Sequence, residues 1–238
     1  MIDQLLYPFK SHFLNIDGLK YHYINEGKGD PIVMVHGNPT WSFYYRNLIS
    51  ALKDKYHVIA PDHIGCGLSE KPKEEAYPFT LERRIEDLEQ LIDHLEITKK
   101  ITLVLHDWGG MIGMAFAVRN PEKIKRLVVS NTAAFHLPGS KKFPFLLKLI
   151  RDYPIGAFLV RGLNAFSRGA VRLCCCRRKM DKKIKKGYLA PYNNWHNRLA
   201  VYKFVKDIPL VPSDSGFDIV TYTQNNLSKF EDIPTLIL

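Results

Sequence analysis

Residues 101–113 read Ile-Thr-Leu-Val-Leu-His-Asp-Trp-Gly-Gly-Met-Ile-Gly: an apolar strand, a glycine-rich turn and the start of a helix, with the carboxylate of Asp107 at the apex. No other stretch constrains the fold as much, because a strand can meet a helix at so sharp a corner only through small residues. Gly109 and Gly110 let the two elements approach without Cβ clashes, which pushes the Asp107 side chain out over the sheet edge. An aspartate presented in this way can act as a nucleophile through a covalent ester or anhydride, chemistry that suits a good leaving group or a strained ring. The alternative is a loop Asp that caps the helix carrying Met111, Ile112, Met114 and Ala115.

The flanking pattern predicts the context of that corner. Residues 12–16 and 19–24, joined by Asp17-Gly18, read as a hairpin. Residues 31–36 are a nearly continuous apolar run, as expected of a strand buried on both faces. A helix over 41–52, a strand over 57–60 and a helix over 80–96 follow. Thr80 is the predicted N-cap of the last, and Leu81, Ile85, Leu88, Leu91, Ile92 and Leu95 recur at helical spacing. After the Asp107 corner come a helix to Asn120-Pro121 and a strand over 126–131. Strands alternating with amphipathic helices predict an α/β fold with a doubly wound, mostly parallel sheet.

The alternation stops near Phe135. Residues 136–212 are basic and rich in Phe and Leu, and read as short helices broken at Pro144, Pro154 and Gly156. This predicts an inserted helical cap over the site, its Phe/Leu face lining an apolar pocket and its basic residues in water. The expected organisation is core over 1–135, cap over 136–212 and a return to the core over 213–238. The final residues, 232–238, read as the start of another buried parallel strand, so the sequence is expected to be a fragment that stops at a core strand.

At 238 residues the chain can bury a substantial core, and no apolar run approaches the ~18–20 residues of a membrane span. Its first residues lack the basic and apolar regions of a secretory signal. The four cysteines are Cys66 and the run Cys174, Cys175 and Cys176, which is no paired disulfide framework. No metal spacing and no cofactor motif is present, and a reduced, cytoplasmic compartment is the expectation. The net charge of +10 is uneven: residues 141–206 hold 17 Lys or Arg against two acids, Asp152 and Asp181. Such a segment is either a solvated lid face or a docking site for an acidic protein or an anionic membrane surface. No nucleic-acid-binding module accompanies it.

A second motif, His36-Gly37-Asn38-Pro39-Thr40-Trp41, follows the first core strand at the sheet edge where Asp107 emerges. The backbone N–H groups of Asn38 and Trp108 are placed to form an anion-binding hole, and the Asn38 amide and Trp108 indole add two donors. With Pro61-Asp62-His63-Ile64-Gly65-Cys66-Gly67-Leu68-Ser69, read as a structural turn, these motifs resemble the haloalkane-dehalogenase group of α/β-hydrolases. Within that group, Asn131-Thr132-Ala133-Ala134-Phe135, Gly162-Leu163-Asn164-Ala165-Phe166 and Ala190-Pro191-Tyr192-Asn193-Asn194-Trp195 are similar to the β-lactone decarboxylases of bacterial long-chain olefin synthesis. So is Phe204-Val205-Lys206-Asp207-Ile208-Pro209-Leu210. The resemblance implies an α/β-hydrolase fold and a hydrophobic substrate, a cis-3,4-dialkyl β-lactone opened to a cis-alkene and CO2, with Asp107 as nucleophile and Asn38 and Trp108 as the anion site. Two alternatives stand beside it. One is hydrolytic dehalogenation by an SN2 attack of Asp107; the other is an inactive, truncated lobe that serves as a binding partner. Epoxide hydrolases share the Asp-Trp-Gly-Gly corner but usually carry an aromatic residue where Asn38 stands.

The resemblance also implies a downstream His and a carboxylate to orient it. Asn131 occupies one position for that acid and the last His is His196, in the cap, so both groups are expected beyond residue 238. His106 is expected to point to the opposite face of its strand and to be structural.

Overall fold

In the computed structural model, residues 3–175 and 179–238 are described. Met1, Ile2, Cys176, Arg177 and Arg178, which enter the readings above, lie outside them. The described strands are β1 (Ser11–Ile16), β2 (Leu19–Glu26), β3 (Asp30–Val35), β4 (Tyr56–Pro61), β5 (Ile101–His106), β6 (Ile124–Ser130) and β7 (Thr235–Ile237). They form one sheet in the order β1-β2-β4-β3-β5-β6-β7. The hairpin β1–β2 and the β2–β4 pair are antiparallel, and every pairing from β4 to β7 is parallel.

Adjacent residues of the central strands point to opposite faces, and both faces are covered. Val33 and Val35 of β3 join Leu103 and Leu105 in a core with α2 (Leu81–His94) and α3 (Trp108–Arg119). Ile32 and Met34 of β3 join Val58, Ala60 and Val104 in a second core with Ile49 of α1 (Arg46–Leu52). This two-sided burial is why the strands read as continuous apolar runs. At the start of α2 the Thr80 hydroxyl accepts the Arg83 N–H at 3.3 Å, as the capping pattern predicts.

Between β6 and α9 (Phe217–Asn225) the described elements are helical. The elements are α4 (Phe145–Asp152), α5 (Ile155–Ala157) running into a π-helical turn (Phe158–Gly162), α6 (Ala165–Leu173), α7 (Lys182–Leu189) and α8 (Leu199–Lys206). Pro144 precedes α4 and Pro154 separates α4 from α5, as expected. Gly156 does not break a helix. It lies inside α5, where a Cβ would run into the Ile150 carbonyl, so it lets α5 fold back onto α4. On its inner side α8 closes the second core with Val201 and Val205.

The strand expected at 234–238 forms over β7 and pairs with β6, but it is not buried. Leu236 and Ile237 are 53% and 78% exposed, because this short edge strand stands clear of the helices that cover its neighbours. Among the described residues no helix is long and apolar enough to cross a membrane.

Candidate active site

Asp107 sits between β5 and α3 with φ 53° and ψ −126°, a backbone conformation that a non-glycine residue adopts only when its surroundings enforce it. Four contacts do so. The Asp107 carbonyl accepts the Gly110 N–H at 2.9 Å and the Thr132 hydroxyl. A Cβ on Gly109 would strike the Val35 carbonyl, and one on Gly110 would strike the Thr132 side chain. The corner is therefore pressed against β3 on one side and the 130s loop on the other.

The Asp107 carboxylate meets the backbone N–H groups of Asn38 and Trp108, the two donors that the sequence reading expects at an anion site. Asn38 N–H donates to Asp107 Oδ1 at 2.6 Å, and the Trp108 N–H also bonds the carboxylate. Burial raises the pKa of Asp107 above the usual carboxylate value, and these two N–H groups pull it back down. The loop bearing Asn38 is braced from beneath. His36 donates Nδ1–H to the Gly37 carbonyl at 2.9 Å and accepts the His63 N–H on Nε2 at 3.0 Å, while His63 Nε2 donates to the His36 carbonyl at 3.1 Å. The bond accepted on Nε2 fixes the His36 ring as a neutral imidazole, and burial lowers the pKa of both rings.

Asp62 anchors the neighbouring loops. Its carboxylate accepts the Ser42 N–H at 2.6 Å and the Leu68 N–H at 2.8 Å, and lies 2.8 Å from His22 Nδ1. Although burial acts to raise its pKa, these partners win and hold it at about 2. This explains the turn at 61–69: it wraps a buried carboxylate and takes no part in phosphate binding.

Above Asp107 lies a cavity of about 720 Å³. Its walls include Ile150, Leu159, Phe166 and Val171 from the helices between β6 and α9, with Asn38 and Asp107 among its polar residues. The Asn38 amide nitrogen donates to the Val201 carbonyl of α8 at 3.1 Å, which aims its other N–H independently of the loop. The Trp108 ring packs against Phe204, also of α8, with centroids 5.2 Å apart. The Arg84 guanidinium stacks on Phe204 at 3.8 Å, lies 5.7 Å from the centre of the Trp108 ring and bonds Asp207 at 3.2 Å. Arg84 is fully buried, a role signalled by its place three residues after Leu81 on the apolar face of α2.

The expectation for His106 is corrected. It lines the same cavity as Asp107 and stacks on Tyr44 with centroids 4.2 Å apart. The turn in chain direction at the corner overrides simple strand alternation, bringing both residues to one side. Burial, reinforced by His36, drives the His106 pKa down to about 4, so its ring is neutral at physiological pH. The other late histidines lie elsewhere: His136 bonds Thr221 at 2.7 Å and stacks on Phe217, and His196 bonds the Lys71 carbonyl at 2.6 Å. Asn131 lies in the cavity wall in a left-handed conformation, φ 43°.

A strand–Asp–helix corner facing two backbone donors under a helical roof defines a class of protein, and sequence comparison agrees. Residues 30–238 match the family model for the alpha/beta hydrolase fold, and the chain belongs to that family. It is 56% identical over 237 residues to a cis-3-alkyl-4-alkyloxetan-2-one decarboxylase of Shewanella oneidensis, covering 100% of this chain and 74% of that protein. It is 42% identical to the enzyme of the same name from Xanthomonas campestris pv. campestris, covering 97% and 79%. In fold it is similar to a crystal structure of a haloalkane dehalogenase from Agrobacterium tumefaciens C58, with TM-score 0.83, 24% identity and coverage of 99% and 80%.

Proposed function

We propose that this chain acts as a β-lactone decarboxylase, converting a cis-3,4-dialkyl β-lactone to a cis-alkene and CO2, with Asp107 as the nucleophile. The observation that carries this reading is the Asp107 carboxylate, 2.6 Å from the Asn38 N–H, at the base of a cavity of about 720 Å³ with aliphatic and aromatic walls. A four-membered lactone is strained, so a carboxylate can open it. In the opening step an Asp107 oxygen forms a bond to the ring, a ring C–O bond breaks, and its electron pair leaves on oxygen. The Asn38 side chain, which lines the cavity, and the Trp108 indole N–H would meet that developing charge. With attack on the ring carbon that bears oxygen, loss of CO2 then breaks the C–C bond to the freed carboxylate, its electron pair forms the C=C bond, and the Asp107–carbon bond breaks to return the Asp107 carboxylate. The balance needs no water, oxidant or reductant.

Several residues prepare the step. The walls exclude water from the carboxylate and accept two alkyl chains. His106, neutral and beside the nucleophile, adds no charge that would neutralise it. We take residues 136–212 as the cap and place the protein in the cytoplasm, a reading supported by the buried Cys66, a free thiol.

The test is product analysis. Purified protein given a cis-dialkyl β-lactone should yield the cis-alkene and CO2 in equal amounts. Release of halide from long haloalkanes with no alkene from the lactone would favour dehalogenation instead, and binding without turnover of either would favour the inactive lobe.

A further inference from the structure

The cavity opens at an apolar rim. Leu146 of α4 and Leu173 of α6 both line it, yet they are 61% and 74% exposed, and Phe145, beside Leu146, is 79% exposed. Large side chains this exposed are ordinary when scattered, but here two line the cavity and the third adjoins one of them in α4. Cations surround them. Lys141 and Lys142 precede α4, Lys148 lies three residues after Phe145 on the same helix side, and Arg172 adjoins Leu173; all are exposed. The two acids of the segment do not offset this charge locally. Asp152 pairs with Arg151 at 2.6 Å, and Asp181 caps α7 by accepting the Lys183 N–H at 2.7 Å.

We propose that this rim docks the protein on an anionic lipid bilayer, with Phe145, Leu146 and Leu173 entering the acyl boundary and the surrounding lysines and arginines meeting lipid headgroups. The inference goes beyond the proposed activity, because docking requires no substrate. Charge complementarity and the continuity of the rim with the cavity wall select the occupant. An acidic protein would satisfy the cations and leave the leucines and Phe145 in water. A bilayer with anionic headgroups supplies charge at the surface and hydrocarbon several ångströms below it, the order in which this face presents its groups. A lipid-soluble substrate would then pass from the acyl region into the Asp107 cavity without crossing water.

The experiment is co-sedimentation of the full chain with phosphatidylcholine vesicles, with and without about one-third phosphatidylglycerol. Binding should be at least about tenfold tighter to the anionic vesicles and should weaken with salt. A lysine at such a surface is worth about fivefold in affinity, so Lys141→Glu with Lys142→Glu should weaken binding at least about 25-fold. Phe145→Ser should weaken it on its own. The circular dichroism and melting temperature of both variants should match the parent, since these side chains are exposed. Equal binding to both vesicle types, or unchanged binding by the variants, overturns the proposal. So does binding to polyglutamate with none to anionic vesicles, which would assign the face to an acidic protein. Vesicle binding is read without any lactone, so failure of the activity assay leaves this result intact, and the reverse also holds.

Discussion

Asn38 and Asp107 are 69 residues apart, and the backbone N–H of the first donates to the carboxylate of the second at 2.6 Å. The carboxylate proposed as nucleophile thus accepts a backbone donor of the loop proposed to stabilise the charge of the opening ring. Replacement of Asp107 by Asn keeps a carbonyl acceptor for the Asn38 N–H and removes a charge that burial disfavours. Asp107→Asn should therefore lose activity by on the order of 10³-fold or more while keeping or raising its melting temperature. Turnover by a clean Asp107→Asn preparation would show that another group attacks.

The same burial sets the acid limb of the pH profile. Only the ionised carboxylate attacks, and its pKa in the fold lies above the usual value of 3.8. On lowering the pH, kcat/KM should start to fall before a solvent-exposed aspartate would be protonated. A rate that stays flat down to the ordinary carboxylate range would contradict this.

Trp108→Phe keeps a ring against Phe204 and leaves the backbone N–H in place, so it isolates the indole donor. If the indole holds the departing anion, the rate should drop by on the order of 10²-fold. A loss below about threefold in kcat would leave the anion to the backbone N–H groups and the Asn38 amide.

Asp62 governs stability at low pH. Its carboxylate is bound more tightly to its partners in the fold than in the unfolded chain, so its pKa falls from 3.8 to about 2. The stabilisation is fully present above about pH 4 and is lost as the pH falls through about 2. Urea midpoints measured across that window should drop steeply for the parent and much less for Asp62→Asn. Equal slopes would show that the acid transition arises from other carboxylates.

Gly109→Ala tests the corner itself. The added methyl would meet the Val35 carbonyl, a backbone atom that cannot swing away. The cost should be about 1–3 kcal/mol of stability, with most of the activity lost as the nucleophile shifts. Urea denaturation and turnover on the same preparation check both halves, and an Ala variant with parental values for each would refute the close approach.

Much of this site is legible in the sequence because its parts are local. The corner at 101–113 needs small residues, and the loop at 36–41 follows a strand whose apolar run is unmistakable. Thr80 caps α2 because its hydroxyl serves a helix that the Leu and Ile spacing already delimits. What escapes is tertiary. The position of His106 follows from the direction of the chain at the corner, and its stacking on Tyr44 from the loop after β3. Arg84 shares the apolar face of α2 with Leu81, but its partner Phe204 lies 120 positions later in the chain. The exposure of β7 reflects which elements flank it, and alternation within a strand carries no record of that.

One consequence follows from α8. A single helix supplies the Val201 carbonyl that orients the Asn38 amide and the Phe204 ring that wedges Trp108. That one helix is thereby a jig for both side chains of the proposed anion site, although none of its residues is among those lining the cavity. A shift of α8 would alter the chemistry without changing the walls that meet the substrate. Compensating changes would fall at Asn38, Trp108 and Arg84, far along the sequence from the helix that was altered.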